Sequence, residues 1–486
     1  MNAPPTEKRW PERAEKGKKI QMVRPVNRAE EGRGMSQDMT RGNPARLILL
    51  FALPLFVGNL FQQLYNMADT LIVGRALGAQ ALAAVGCTGS LSFLILGFAQ
   101  GLTSGFSVVL AQRTGARDAE GVRRSYGCAI LLTGLATLLI TPAAVALCGP
   151  LLELLRTPAD ILPQAQAYIS IIFGGMFASL LFNLLGNTLR ALGDSRTPLY
   201  FLVAASVVNI VLDILLITRF SMGVQGAALA TVAAQLVSGG LCLWYIGRRF
   251  PQLKLSPRHF LPDPAEVWAH LRIGLPMAFQ TCLISIGTLI LQAAVNGLGA
   301  DAVAAFTAGN RLEGVFTMPL VSFGTTMATY TAQNYGAQDY RRIALGLRQC
   351  LTMALGYSVA AAAVSIGLGR QLADLFLPGQ AEVARLAHIY LIMVGIGYCS
   401  LAVLYICRFS LQGLGRGAVP TAAGVVEMAM RMVAALLLTA PFGMAGACSA
   451  APLAWTASAI PLAVALWREV RILLWRAQTR PQTAAR

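Results

Sequence analysis

The chain has 486 residues, of which 56% are hydrophobic and only 13% are charged, and its formal net charge is +17. Soluble domains carry about 25% charged residues, and a soluble protein this apolar would lack the polar residues to cover its surface. Composition therefore excludes an ordinary soluble fold and places much of the chain in a lipid bilayer. The positive charge lies mostly in short loops between apolar runs, without an accompanying aromatic-basic pattern, so no nucleic-acid partner is expected.

The amino-terminal segment differs from the rest of the chain. Residues 1–43 are polar and basic, and no apolar segment of the signal-peptide type precedes Leu47. Such a composition is typical of disorder, because it offers few apolar side chains to bury. We therefore predict a disordered basic cytoplasmic arm over residues 1–43.

Twelve apolar runs follow, each about 20 residues or longer, which is enough for a helix to cross a bilayer about 30 Å thick. They begin near Leu47, Leu82, Ser125, Ala165, Leu199, Val224, Ile273, Val303, Leu351, Leu386, Val419 and Met444. The sequence thus predicts an all-α, polytopic membrane protein with twelve transmembrane helices. We expect an N-lobe of six helices over 44–250, a cytoplasmic linker over 251–264, a C-lobe of six helices over 265–475 and a cytoplasmic tail over 476–486.

Loop charge predicts the orientation of these helices. Most arginines and lysines lie in alternate loops, and the opposite loops hold only Arg75, Arg156, Arg219, Arg370 and Arg385. Because basic loops face the cytoplasm, we expect a multi-pass protein of the cell membrane with both termini cytoplasmic.

The two halves repeat. Four short patterns recur about 220 residues further along the chain, which is the signature of an internal duplication. They begin at Leu77 and Leu298, at Ala111 and Ala332, at Leu192 and Leu414, and at Gly223 and Gly443. Since each half has an even number of spans, both enter the membrane from the same side, and the repeats are predicted to be parallel.

Ionisable residues inside a span are costly and are therefore the first candidates for function. In the first half they are Asp69 and Asp213. Gln62, Asn66 and Asp69 are spaced i, i+4, i+7, which places them on one polar stripe of the first helix. Asn209 lies one turn before Asp213, on the same face of the fifth helix.

These groups are predicted to meet at a common depth. At 1.5 Å per residue, Asp213 lies about 22 Å from the cytoplasmic end of its helix and Thr231 about 12 Å from the outer end of the sixth. Two carboxylates in an apolar site cannot both stay ionised cheaply, so one takes up a proton or a cation lies between them. Asn209 and Thr231 add neutral oxygens that suit a hard cation such as Na⁺. The alternative is that Asp69 only caps its helix and Asp213 pairs with a passing arginine or lysine.

The second half departs from this pattern. At the repeat offset, Asp69 corresponds to Ile290, Asn209 to Arg431, Asp213 to Ala435 and Thr231 to Ala451, so the acid pair is absent there. Glu427 and Arg431 stand i, i+4 and are predicted to neutralise each other. Asn183 and Asn187, which share a face of the fourth span, either line a cavity or cap the helix.

Four stretches of the chain carry a family resemblance. They are the first span from Pro54 to Gly74, Leu189-Arg-Ala-Leu-Gly-Asp-Ser-Arg-Thr-Pro198, Asn209-Ile-Val-Leu-Asp213, and Met318-Pro-Leu-Val-Ser-Phe-Gly324 with Gln333-Asn-Tyr-Gly336. As a set they resemble the MATE (multidrug and toxic compound extrusion) family, and the resemblance runs from about Asn43 to Trp475.

The resemblance implies a V-shaped pair of six-helix lobes that alternates access and expels organic cations in antiport with H⁺ or Na⁺. The family's coupling carboxylates match Asp69 and Asp213, with Asn209 and Thr231 beside them, and its bending proline in the first helix matches Pro54. We place Gln62, Asn66, Asn183 and Asn187 in the substrate cavity. The acids that some members carry in the seventh and tenth helices have no counterpart here.

The resulting hypothesis is a monomeric multidrug efflux transporter, not an enzyme, with small organic cations and the lipid bilayer as its partners. It requires no cofactor beyond the coupling ion, and no metal beyond a possible Na⁺ at Asp69 and Asp213. Two alternatives are a flippase-like exporter of lipid-linked saccharides on the same fold, which would need a basic cavity for a pyrophosphate, and a channel.

Overall fold

The computed structural model describes residues 37–479 except residues 156, 262, 377 and 378, and the first 36 residues of the predicted arm lie outside this range. Within it the chain is helical, without a β-strand among the described residues. The N-lobe helices are α1 Pro44–Leu77, α2 Ala79–Gly115, α3 Ala119–Leu154, α4 Leu162–Gly174 with Met176–Ala191, α5 Arg196–Arg219 and α6 Gly223–Arg249. Two short 3₁₀ turns, Pro251–Leu253 and Pro257–Phe260, lie in the linker.

The long C-lobe helices are α7 Pro264–Asn296, α8 Ala300–Gly336, α9 Tyr340–Gly367, α10 Ala381–Gly413, and α11 and α12 within Ala418–Thr479, and a short helix, Gly369–Phe376, lies between α9 and α10. The last of these stretches has 62 residues and contains Gly443 at φ 56°, ψ −131°. A straight helix of that length would extend roughly 90 Å, about three times the thickness of a bilayer. The break at Gly443 therefore separates two helices, 418–442 and 444–479, so the described residues form twelve long helical segments. By length and composition 9 of the continuous helices, or up to 10 spans if the bent α4 pair is one, are apolar enough to cross a bilayer, which is roughly consistent with the twelve spans predicted.

The backbone itself records the repeat. Four pairs of residues with positive φ lie about 220 residues apart, as expected for a duplicated unit: Gly78 and Gly299, Arg117 and Gln338, Gly193 and Gly415, and Gly223 and Gly443. The same helix cap also occurs twice, since Asp118 accepts from Gly121 N at 2.9 Å and Asp339 accepts from Arg342 N at 3.0 Å. Corresponding loops thus end corresponding helices in the two lobes.

The apolar core joins the lobes at one end only. We call the end with the arginine-rich loops the basic face and the opposite end the far face. In the basic half, Val108 of α2 shares one buried cluster with Ile273 and Met277 of α7. In the far half, the cluster that contains Val73 and Ile169 includes no C-lobe residue among those described. The lobes therefore form a V that is closed at the basic face and opens toward the far face.

Helices α2 and α8 cross at the basic face through a reciprocal pair of glycines. A Cβ atom on Gly115 would collide with the carbonyl oxygen of Gln333, and one on Gly336 would collide with the carbonyl oxygen of Gln112. Gly115 and Gly336 occupy corresponding positions in the two repeats, so the contact has approximate two-fold symmetry. A larger residue at either position would hold the helices apart.

The side chains of the same glutamines extend this contact to neighbouring helices. Gln112 Nε2 donates to the Gly413 carbonyl at 2.8 Å, and Gln333 Nε2 donates to the Ala191 carbonyl at 2.8 Å. These bonds also correspond in the two repeats. We call Gln112, Gly115, Gln333 and Gly336 the gate.

Residues 37–43, which the sequence placed in a disordered arm, are packed at the gate. Gln37 N donates to the Gly193 carbonyl of the N-lobe at 2.8 Å. Met39 is fully buried, its N–H donates to Gln333 Oε1 at 3.1 Å, and its carbonyl accepts from Arg342 Nε at 3.2 Å. This segment bridges both lobes, so its placement in the disordered arm was wrong. The other domain limits stay predictions, although the last helix runs to Thr479, past the expected start of the tail.

Candidate functional site

The two predicted acids come from helices that lie side by side in the N-lobe. Asp69 lies in the far half of α1. Asp213 lies in the last turn of the α-helical part of α5, directly before the π-helical turn Leu215–Arg219. π-Helical turns are rare and occur frequently at functional sites.

The structure brings the four predicted site residues together. Asn209 and Asp213 are both 0% exposed. In the amide orientation that satisfies both of its polar atoms, Asn209 Nδ2 donates to Asp213 Oδ2 at 2.9 Å and its Oδ1 accepts from Thr231 N at 3.2 Å. Asp69 faces Asp213 across the helix pair, with the carboxylates within hydrogen-bonding reach of each other. The i, i+4 spacing of Asn209 and Asp213 thus fixes one carboxylate, and the other approaches it from α1.

The carboxylates of Asp69 and Asp213 have fewer hydrogen-bond donors than their oxygens can accept. Oδ1 of Asp69 and Oδ1 of Asp213 are buried, and neither accepts a hydrogen bond from any residue that the structure describes. Buried polar atoms are nearly always paired, and an unpaired one costs about 1–3 kcal/mol. Two acceptors cannot satisfy each other, so a proton or a cation between them would supply what both lack.

Two tyrosines complete the surroundings of the acids. Tyr65 donates its hydroxyl to Thr231 Oγ1 at 3.5 Å, and Tyr168 lies close enough to interact electrostatically with Asp69 and Asp213. Tyr168 and Thr231 also border a cavity of about 130 Å³ between α2, α4 and α6. Pockets for drug-sized molecules measure about 300–1,000 Å³, so this cavity suits water or a small cation.

The residues assigned to the substrate cavity have local partners. Gln62 Nε2 donates to Asn66 Oδ1 at 3.3 Å on the exposed stripe of α1. Asn183 Nδ2 donates to the Ser179 carbonyl of its own helix at 2.8 Å. Asn187 is occupied on both sides, since it donates to Ser104 Oγ at 3.2 Å and accepts from Arg190 Nη1 at 2.7 Å. Their role in a cavity stays a prediction.

Pro54 lies inside α1, which continues as a helix from Pro44 to Leu77. One turn further along, Asn59 Nδ2 donates to Ser322 Oγ of α8 at 3.3 Å and links the lobes. Proline removes one backbone hydrogen bond from the helix, which weakens α1 at this turn. Its hinge role stays a prediction.

The C-lobe holds a cluster of four charged residues, of which Arg408, Glu427 and Arg431 are buried and Glu313 is half-buried. Glu427 bonds Arg431 through Oε1 at 3.2 Å and Arg408 through Oε2 at 2.5 Å, and these three side chains are at most 8% exposed. Tyr390 donates its hydroxyl to Glu313, which also interacts electrostatically with Arg431. We call Glu313, Arg408, Glu427 and Arg431 the charge cluster. Two acids and two bases balance within it.

Sequence reasoning missed several of these partners. The pair Glu427–Arg431 was predicted, but Arg408 approaches from α10 and no spacing pattern announces a contact between helices. Tyr65 lies four residues before Asp69 on the same face of α1, so the helical spacing already carried a signal for it. Tyr168 could have been found from the repeat, since Ala165-Gln-Ala-Tyr168 is echoed by Ala387-His-Ile-Tyr390.

A bundle of twelve long helical segments in two lobes, which meet at one face and hold charged sites, is typical of a membrane transporter. The chain belongs to the MATE family of multidrug efflux transporters, because the family model MatE matches residues 54–215 and 276–451, and members of this family are transporters rather than enzymes. The predicted family and fold class are thereby confirmed.

Individual relatives agree with this assignment. The chain is 33% identical over 309 residues to "Probable multidrug resistance protein YpnP" of Bacillus subtilis, covering 63% of this chain and 68% of that one. It is 26% identical over 405 residues to the "FAD transporter" of Shewanella oneidensis, covering 82% and 88%. Among solved structures, one described as MATE in the bent conformation has the same fold, with a TM-score of 0.85, 24% identity, and 91% and 98% of the two chains covered.

Proposed function

We propose that this protein is a secondary active exporter that expels small organic cations in antiport with H⁺ or Na⁺, coupled through Asp69 and Asp213. The observation that carries the proposal is a pair of carboxylates in mutual reach, each with one buried oxygen that lacks a donor among the described residues. Such a pair binds a proton or a small cation well when the site is accessible. It releases the ion when access changes to the side of lower concentration.

The mechanism follows from the state of the V. With the basic face in the cytoplasm, the lobes are open outward, and H⁺ or Na⁺ enters between Asp69 and Asp213. Neutralisation removes the cost of buried negative charge and allows α1 to repack against α5 and α6, with Pro54 as the point of bending. The loss of negative charge weakens the hold on a cationic substrate, which leaves outward. The gate then opens, and the ion exits into the cytoplasm.

The charge cluster argues against the flippase alternative. A lipid-linked saccharide would need free guanidinium groups for its pyrophosphate, but Arg408 and Arg431 are both bonded to Glu427. An anionic substrate is the remaining second candidate, because one relative is described as an FAD transporter. The same internal neutralisation disfavours it. A channel would not need the acid pair.

The test is transport by purified protein in proteoliposomes, with a fluorescent organic cation and either an imposed H⁺ gradient or an imposed Na⁺ gradient. We expect wild type to move the dye against its gradient under at least one of these conditions. Asp213→Asn should reduce this transport to the background of empty liposomes, because an amide neither takes up a proton nor offers a negative charge to Na⁺.

The matched control is Asp301→Asn, which makes the same change at an exposed position in the first turn of α8. It should transport like wild type. Normal gradient-driven efflux by Asp213→Asn would exclude the proposed coupling site. Efflux of FAD but of no cationic dye would transfer the proposal to an anionic substrate.

A further inference from the structure

The charge cluster of the C-lobe stands where the repeat places the counterpart of the N-lobe site. The repeat offset is constant on both sides of α2 and α8, since Gly78 matches Gly299 and Arg117 matches Gln338 at the same separation. Glu313 of α8 therefore corresponds to Ser92 of α2, which borders the N-lobe cavity.

The same alignment fixes the other members. Tyr390, which donates to Glu313, corresponds to Tyr168, which faces the acid pair of the N-lobe. Arg431 corresponds to Asn209, the amide that holds Asp213. Both lobes thus have a tyrosine at this position, Tyr168 and Tyr390. In the C-lobe the acid beside the tyrosine, Glu313, lies on α8, and the guanidinium of Arg431 replaces the amide of Asn209.

Charge balance separates the two sites. In the N-lobe, Asp69 and Asp213 face each other with no arginine or lysine bonded to either among the described residues. In the C-lobe, Glu427 is ion-paired with both Arg408 and Arg431 and alone would leave one excess positive charge. Glu313 interacts with Arg431 electrostatically, without a direct ion pair between them, and brings the formal charge of the cluster to zero. A cluster whose four formal charges sum to zero needs no mobile ion to balance it.

We propose that Arg431 is a built-in counter-cation, which takes in the C-lobe the place that the coupling ion takes in the N-lobe. It holds Glu313 and Glu427 permanently compensated and so confines ion coupling to the N-lobe. Arg431 is thus a positioning residue for the transport cycle. It keeps the C-lobe in one charge state while the N-lobe alternates between two.

Among the residues that the structure describes, five titratable or charged groups interact electrostatically with Glu313. They are Tyr390, Tyr398 and Tyr405 of α10, Arg431 of α11 and Cys448 of α12. Arg431 is the member of this set with a permanent positive charge. Arg431 also donates to Thr288 Oγ1 of α7 at 3.2 Å, which connects the cluster to the helix that corresponds to α1.

The decisive experiment removes the N-lobe site first, so that any ion effect reports on the C-lobe alone. Full-length protein with Asp69→Asn and Asp213→Asn is melted in detergent at several Na⁺ concentrations, with N-methyl-D-glucamine holding the ionic strength constant, and at several pH values. We expect the melting temperature of the Asp69→Asn, Asp213→Asn protein to be independent of Na⁺. Its pH dependence should stay the same when Glu313→Gln is added. Adding Arg431→Asn, which installs the residue of the N-lobe, should lower the melting temperature. It should also make melting recover with Na⁺ or with falling pH, because one carboxylate is now uncompensated.

Two further variants keep the inference falsifiable. Adding Glu313→Gln to Arg431→Asn makes the cluster neutral again, so it should restore the melting temperature and abolish the new ion dependence, whereas Arg431→Lys should behave like the background. The inference fails if the double change is no more stable than Arg431→Asn. It also fails if Arg431→Asn creates no ion dependence, or if the background already shows one that Glu313→Gln removes.

A transport readout extends the test, and this part rests on the proposed antiport. In an otherwise wild-type chain, Arg431→Asn should raise the number of coupling ions per exported substrate by one, as measured from the reversal potential in proteoliposomes. Failure of the antiport proposal would appear as normal efflux by Asp213→Asn. Failure of the present inference would appear in the melting experiment, which involves no transport.

Discussion

The acid at the centre of the charge cluster makes a quantitative prediction possible. Glu427→Gln removes the carboxylate that bonds Arg408 at 2.5 Å and Arg431 at 3.2 Å, and all three side chains are nearly excluded from solvent. Breaking a buried ion pair by removing one partner costs about 3–5 kcal/mol, and an unpaired arginine at mid-helix costs about 2.5–3.5 kcal/mol on insertion scales. Because Glu313 can compensate only one arginine, we expect the variant to lose about 3–5 kcal/mol in the free energy of unfolding.

The assay is thermal melting in detergent, followed by the loss of the monodisperse peak on size-exclusion chromatography. Glu382→Gln is the matched control, because Glu382 bonds Arg385 at 2.6 and 2.9 Å while both side chains are more than half exposed. An exposed pair contributes little whatever its geometry, so this control should melt close to wild type. Glu427→Gln should melt well below it, and combining Glu427→Gln with Arg431→Gln should recover part of the loss.

Two outcomes would refute this reasoning. If Glu427→Gln and Glu382→Gln melted alike, burial would not govern the strength of the pair. If Glu427→Gln were as stable as wild type but inactive in transport, the charge cluster would have a direct role in ion or substrate binding. The structural interpretation of Glu427 would then be wrong.

Two further predictions concern the basic face. Gly115→Ala should disfavour closure at this face, because the added Cβ collides with the Gln333 carbonyl, and labelling of a cysteine introduced beside the gate should rise. The control is Gly134→Ala, where a Cβ meets nothing within 4 Å. Equal labelling of the two variants would contradict the role of the gate. Deleting residues 2–34 should leave folding and transport intact, whereas deleting residues 2–42 should lower the melting temperature by removing the buried Met39 and its bonds to Gln333 and Arg342. Equal melting of the two deletions would show that the segment contributes nothing to holding the lobes together.

The fold was largely predictable because its main signals are local. Apolar runs and loop charge gave twelve spans, and the echoes at Gly223 and Gly443 anticipated two glycines that share a left-handed backbone. The packing of residues 37–43 was not predictable, since it rests on the backbone N–H groups of Gln37 and Met39, which donate to the Gly193 carbonyl and to the side chain of Gln333. A polar segment with a single buried methionine carries no periodic signal.

The candidate site was predictable where residues share a helix, and only partly where they do not. The spacing of Asn209 and Asp213 fixed their common face, and the rise per residue brought Thr231 to their depth. Contacts between helices were missed, because depth alone does not say which face of one helix meets another. Arg408 therefore remained without its partner Glu427, and Glu313 without Tyr390.

The gate has a consequence for how the duplicated gene can change. Each gate glycine lies against the backbone carbonyl of a glutamine in the other half, and every residue type carries that carbonyl, so no substitution at the glutamine makes room for a side chain at the glycine. Asn209 and Arg431, which correspond in the two repeats, show no such constraint, since one half has an amide where the other has a guanidinium. Mutational scanning should therefore find that Gly115 and Gly336 both reject larger residues, whereas Asn209 and Arg431 tolerate different sets of residues. The duplication thus keeps the contact between the lobes fixed, while the interiors of the two lobes can differ.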